Sequence, residues 1–342
     1  MRIVGATTEK AQRMKIEPHG FHRRIPLKPH QLHDRVTRSE DVIVLCHLGV
    51  PRIDPGEWTL RLDGLVERPL QLTYGDLARY RSFEVASVHQ CAGSPLQPQE
   101  PTRRICNVAW TGVRLADILS DARPTAAARF VWSYGADYGE FSGCAVDFYQ
   151  KDLPLERVSA DVLVATAMNG KPLSEEHGFP ARLVVPGFYG TNSTKWLTRL
   201  SLADRRADSP FTTRWYNDPV FDHSGGEMGT VTPVWSIAPE SVIVSPAPDE
   251  VLAVSSAHEI WGWAWSDGGV RNVGISADGG ETWMPAEVEP SQGREWQRFS
   301  LRWCPPGPGP YSLVSRAESS DGELQPAVGR RNAIHAVAIS VR

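Results

Sequence analysis

Through the first two thirds of the chain, apolar positions come in short alternating runs broken by turn residues, the period-two pattern of half-buried strands. Residues 83–90 carry Phe83, Val85 and Val88 among smaller neighbours and run into His89-Gln90-Cys91-Ala92-Gly93. That pattern predicts a strand delivering a cysteine to a glycine turn at its C-terminal mouth. Residues 41–47 read as a short apolar strand ending on His47, and residues 58–64 as an alternating strand closed by Asp63-Gly64. Thr73 followed by Asp76 predicts a capped helix over 74–80. Leu115, Ile118, Leu119 and Ala122, at i, i+3, i+4 and i+7, predict an amphipathic one. Further strands are expected at 130–134, leading to Asp137, at 162–167, stopped by the turn dipeptide Asn169-Gly170, and at 181–185. Mixed strands and helices without βαβ alternation predict an α+β domain over 41–205.

Beyond it the pattern changes. Residues 206–240 hold no period and read as a connector. From 241 to 342, short strands at 241–244, 260–265, 273–276, 296–301 and 311–316 alternate with Asp-Gly turns at 267, 278 and 321. This spacing predicts an all-β sandwich of immunoglobulin-like architecture. Trp261, Trp263 and Trp265 fall on one face of their strand, which implies core or a subunit interface. Residues 1–40, with His19, His22, His30 and His33 at irregular spacing among basic residues and prolines, read as a solvated arm.

Length and composition agree with this division. A chain of 342 residues is long for one core, and 22% charged with 41% hydrophobic residues is an ordinary globular balance. A net charge of −4 argues against a nucleic-acid surface. Five cysteines without a CxxC pair fit neither a disulfide framework nor a zinc site built on cysteine pairs. No apolar run reaches the roughly 18–20 residues of a membrane span, and the N-terminus lacks the apolar segment of a secretory signal. A cytoplasmic location is expected, or a periplasmic one where a signal has been removed.

The chain contains no GxGxxG, Walker loop, GxSxG or HExxH, so nucleotide binding, common serine hydrolysis and zinc hydrolysis lack their signatures. Polar residues do gather at strand ends and in one loop: His47, Cys91, Asp137, His177, Arg182, and Ser193-Thr194-Lys195. Taken singly each has a plain structural reading; a free cysteine, for example, is commonly a small buried hydrophobe. Arg182 on an apolar strand is harder to dismiss, because a buried guanidinium needs an anionic partner. Lys195, in a loop rich in Gly, Asn, Ser and Thr, suits an anion cradle. Together they suggest a buried, negatively charged, hydrogen-bonding ligand with a soft thiolate ligand nearby.

His89-Gln90-Cys91-Ala92-Gly93, the stretch 176–187 (EHGFPARLVVPG) and Lys195-Trp196-Leu197 resemble the sulfite oxidase family of molybdenum enzymes. So do Gly262-Trp263-Ala264-Trp265-Ser266 and the stretch 276–283 (SADGGETW), in register from about residue 41 to the end. The resemblance implies a mixed α/β molybdopterin-binding domain followed by an immunoglobulin-like dimerisation domain, and a molybdenum–molybdopterin cofactor. It places Cys91 as the thiolate on molybdenum, a soft ligand for such a centre. It places Cys46, His47, Asp137, His177, Arg182, Ser193, Thr194 and Lys195 around the pterin and its phosphate. Trp110 matches a tryptophan lining the substrate pocket and Tyr216 an active-site tyrosine. The chemistry it implies is two-electron oxygen-atom transfer on a small sulfur oxyanion or a related oxo-acceptor.

The chain departs from sulfite oxidases near the substrate. Leu45 and Ser94-Pro95-Leu96 stand where those enzymes carry arginines, members of the cluster that grips a dianion. Arg103, Arg104 and Arg214 are candidates to compensate, and Arg271 is the expected contribution of the C-terminal domain. No Cys-x-x-Cys-His is present, so no haem is expected, and electrons would pass to a separate acceptor such as a cytochrome. Rival expectations are an S-oxide or N-oxide reductase on the same fold, and a binding protein that has lost the cofactor. A third is a cysteine nucleophile at Cys91 served by His89.

Overall fold

The computed structural model describes residues 26–93, 104–221, 227–328 and 331–342. The predicted turn chemistry shapes the local structure. Thr73 accepts from the Asp76 N–H at 3.2 Å while the Asp76 carboxylate takes the Thr73 N–H at 2.9 Å, a reciprocal cap on the short helix Tyr74–Leu77. The helix Leu115–Ala122 buries Leu115, Ile118, Leu119 and Ala122 as its period requires. Asn169 and Gly170 both take positive φ, turning the strand Leu163–Met168 back through a tight hairpin.

Two sheets form the N-terminal domain. One runs Leu70–Thr73, Thr59–Gly64, Leu197–Ala203, Phe130–Gly135, Gln150–Pro154, with a parallel pairing only between Thr59–Gly64 and Leu197–Ala203. The other runs Lys171–Pro172, Leu163–Met168, Ile105–Arg114, Ser82–Gln90, and Arg182–Val184 also pairs with Leu163–Met168. Leu60, Leu62, Ile118, Val131, Val164 and Leu200 fill the space between them. The C-terminal domain is a strand-rich sandwich. Its four-stranded sheet holds Glu240–Ser245, His258–Trp265, Gln297–Trp303 and Glu287–Val288, and its five-stranded sheet is centred on Gly309–Ser319. Ile260, Ile275, Phe299, Leu313 and Ile339 make its core.

Three expectations change. Residues 41–47 are not a strand: Val42, Ile43 and Val44 are buried, yet only Leu45 makes an isolated bridge. The run was apolar because it backs a cavity, not because it belongs to a ladder. Residues 206–240 are more ordered than a connector. They hold the short helix Pro210–Thr213, capped by Ser209, and the hairpin Asn217–Phe221/Glu227–Pro233. Residues 26–40 are no solvated arm either. Leu32 is buried, and the carbonyls of Leu32 and Arg35 accept from the indole N–H groups of Trp263 and Trp296 at 2.7 and 2.8 Å. A buried indole requires an acceptor, and this strap supplies two. His19 and His22 lie outside the described residues.

The tryptophan face is core. Trp263 stacks on Trp296 at 5.0 Å, and Trp265 donates to the Gln90 side chain at 2.9 Å, one residue before Cys91. With Val88, Ala92 and Tyr189 they join the two domains.

Candidate active site

The strand Ser82–Gln90 ends where the sequence predicts, and the cysteine after it faces a cavity. Cys91, His89, Cys46, His47, Asp137, His177, Arg182, Ser193, Lys195 and Tyr216 all line that space. The space between its walls, open solvent at the mouth included, is about 730 Å³. The floor admits close approach. A Cβ on Gly190 would stand 2.9 Å from His89 Nε2, and Gly178, at φ +105°, packs beside the Arg182 and Lys195 side chains.

Neither buried cation of this cavity forms an ion pair among the described residues. Arg182 is 3% exposed; its guanidinium donates to the carbonyls of His177 and Ser193, both at 3.1 Å, and pairs with no carboxylate among the described residues. Lys195 donates to Glu176 O at 2.8 Å and to Cys46 Sγ at 3.3 Å, again without an ion pair among the described residues. Burial lowers the pKa of both, Arg182 to about 10. Burial depresses His89, with Arg182 and Lys195 adding to it, and burial with Lys195 and Lys151 pulls His47 down to about 3, so both imidazoles are neutral at pH 7. Asp137 is pushed up to about 7 by burial, with Lys195 opposing. Two buried cations and one partly protonated acid make a site that needs an anion.

Cys91 sits at the other end. Its sulfur accepts the Gly93 N–H at 3.2 Å; burial raises the thiol, while Gly93, Arg104 and Arg331 pull it back. A thiol held protonated gives up its proton only to a metal or a base, so metal binding here releases a proton. The Tyr216 hydroxyl, kept protonated by burial, hydrogen-bonds His47 Nε2. Tyr216 holds φ +58°, rare for a tyrosine, and is braced by a buried lysine. Lys151 is 1% exposed, lies 5.5 Å from the Tyr216 ring centre and donates to Phe211 O at 3.0 Å.

Other expected residues lie elsewhere. Trp110 is fully buried behind the site, beneath Arg182 and beside His89, and does not line the cavity; its indole N–H has no partner among the described residues. Thr194 turns its hydroxyl to Ser133. Arg214 is exposed over Trp215, and Arg271 pairs with Glu318 on the outside of the sandwich. Arg104 is near Cys91, donating to Gly93 O at 2.8 Å. Arg103 and Ser94-Pro95-Leu96 lie outside the described residues. The C-terminal arginine that reaches this region is Arg331. It lies over the Tyr189 ring at 5.3 Å and precedes Asn332, which accepts from Gln90 at 2.9 Å. Nothing in the local sequence marks Arg331, and the family resemblance points instead to Arg271. Tyr149 and Lys151 were missed for a similar reason: their strand gives no polar alternation to read.

Residues 47–211 match the family model of the oxidoreductase molybdopterin binding domain, and residues 232–305 that of the Mo-co oxidoreductase dimerisation domain. The chain belongs to the sulfite oxidase family of molybdopterin-dependent oxidoreductases. It is 31% identical to mouse mitochondrial sulfite oxidase (Mus musculus) over 82% of this chain and 55% of that protein. It is also 31% identical to a barley (Hordeum vulgare) nitrate reductase [NAD(P)H] over 84% of this chain and 35% of that protein. It thus spans about a third to a half of these relatives. The sulfane dehydrogenase SoxCD of Paracoccus pantotrophus superposes with a TM-score of 0.75 at 28% identity, covering 90% of this chain and 82% of that one.

The cavity fits the family's cofactor. Among the described residues no group of three or more His, Cys, Asp or Glu could hold a bare metal ion. The Cys91 thiol at one end of a cavity whose other end carries buried cations suits a metal that arrives with most of its own ligands on an anionic carrier.

Proposed function

We propose that the chain binds the molybdenum–molybdopterin cofactor and oxidises sulfite or a related small sulfur compound, passing electrons to an external acceptor such as a cytochrome. The observation that carries this reading is the placement of Cys91 and of Arg182 and Lys195, buried cations without an ion pair among the described residues, in one cavity. Arg182 and Lys195, with the 190–195 loop, would hold the anionic end of the cofactor, and Cys91 would give its thiolate to the metal. When bound, the cofactor supplies two-electron oxygen-atom transfer. The protein's own share is orientation and charge. Neutral His47 and His89 offer hydrogen bonds without adding repulsion to the cations. The protonated Tyr216 hydroxyl stands ready to donate toward an oxygen in the cavity, held there by His47. Arg104 and Arg331 give the Cys91 side a positive potential that draws an oxyanion.

Leu45 also lines the cavity, an apolar residue where sulfite oxidases carry arginine. That observation favours a second reading, reduction of an S-oxide or N-oxide by the same site. The dimerisation-domain match supports a homodimer joined through the C-terminal domain.

The purified, matured protein should contain molybdenum and pterin in step with its chain concentration and should reduce ferricyanide on addition of sulfite. Cys91→Ser should abolish turnover, as removal of a metal ligand requires. Protein free of molybdenum after maturation, or a fully active Cys91→Ser, would sink the proposal. Turnover of an S-oxide with a reduced dye, and none of sulfite, would select the second reading.

A further inference from the structure

Between the Tyr216 segment and the C-terminal domain lies an ion pair that the cofactor chemistry does not need. Asp218 follows Tyr216 by two residues, and Arg331 precedes the Asn332 that binds Gln90, itself adjacent to Cys91. The Asp218 carboxylate and the Arg331 guanidinium meet at 2.6 Å; Arg331 is 15% exposed at its side chain and Asp218 46%. Arg331 is also pinned by the Tyr189 ring, so it is the immobile partner and Asp218 the accessible one. The Tyr189 ring beneath it packs in one cluster with Ala92 and Tyr216, both of which line the cavity, so Arg331 stands beside the site. Arg104, the other guanidinium on this side, donates to the Gly93 carbonyl in the turn after Cys91.

We propose that Asp218 is a specificity-determining residue: its carboxylate occupies Arg331 and competes with an incoming oxyanion, tuning the site toward substrates of low negative charge. This rests on the proposed function for its biological meaning, but not for its physical test. An oxyanion that binds Arg331 must displace a carboxylate already in place, whereas a neutral substrate pays no such cost. A dianion is therefore held less tightly than the number of nearby arginines suggests.

The test uses the holoenzyme and inorganic sulfate, an unreactive oxyanion, followed by titration calorimetry. Asp218→Asn should tighten sulfate binding about three- to tenfold, the worth of freeing a partly exposed ion pair. Asp218→Glu, which keeps the charge, should stay near the wild type. The gain should vanish in the double variant Asp218→Asn/Arg331→Gln. In turnover, Asp218→Asn should lower KM for sulfite by the same factor with kcat unchanged and leave KM for neutral dimethyl sulfoxide alone. Unaltered sulfate affinity in Asp218→Asn, or a gain that survives loss of Arg331, overturns the inference. Sulfate tightening without turnover of any substrate keeps the inference and rejects the proposed function; turnover with unmoved affinities does the reverse.

Discussion

Replacing Lys151 with methionine should make the protein more stable at neutral pH and less stable at high pH. The lysine lies in the all-buried strand Gln150–Pro154, and burial lowers its pKa from 10.5 to about 8. At 1.36 kcal/mol per pH unit that corresponds to about 3 kcal/mol of destabilisation while the amine is charged in both folded and unfolded chains. Against it stands the hydrogen bond to Phe211 O, whose loss leaves a buried carbonyl unsatisfied at about 1–3 kcal/mol. Below pH 8 the net should favour Lys151→Met by about 1 kcal/mol. Between pH 8 and 10.5 the native wild type sheds its proton while its unfolded chain keeps one, so wild-type stability rises relative to the variant. Above that window only the lost hydrogen bond remains and the order inverts. Urea unfolding of both proteins at pH 7 and pH 10.5 measures the difference directly. A difference independent of pH would refute the burial argument. A stabilised variant with reduced kcat would further show that the charge is retained to brace Tyr216 rather than the fold.

Two further outcomes follow from the cavity. Asp137→Asn should stabilise cofactor-free protein by up to about 4 kcal/mol above pH 7, because the wild-type acid, raised from 3.8 to about 7, is ionised there in both states at full burial cost. The advantage should shrink as pH falls through that range and vanish below about 4, where both forms are protonated; denaturation curves at three pH values check it. Gly190→Ala should leave the melting temperature within a few degrees but cut pterin content, since its Cβ would press on His89 Nε2 at 2.9 Å. Pterin fluorescence after denaturation reads that directly.

The elements legible in sequence were those fixed by local rules. The helix Leu115–Ala122 follows from its period, the cap at Thr73 from two side chains three residues apart, and the hairpin at Asn169-Gly170 from a dipeptide. Cys91, His47, Asp137, His177, Arg182 and Lys195 stand out at strand ends and in one polar loop, the family resemblance gives them roles, and the cavity gathers them. Errors arose where position depends on distant packing. Residues 41–47 look like a strand because burial selects the same side chains whether or not a partner strand exists. Arg271 and Arg331 are equally plausible in sequence, and only the fold of the C-terminal domain decides that one points outward and the other inward. Trp110 was expected at the surface of the cavity, yet a side chain at the centre of a paired strand can as easily form its back wall.

The strap of residues 26–37 has a consequence in time. Its acceptors, Leu32 O and Arg35 O, precede their tryptophan donors by 231 and 261 residues. At synthesis rates of about 5–20 residues per second, the strap waits roughly 10 to 50 seconds for its partners. Trp265, which covers the Cys91 turn through Gln90, comes 175 residues after that glutamine. From the emergence of Lys195 until that of Trp265, 70 residues later, the nascent chain carries its cysteine and both cations without the tryptophans that join the two domains.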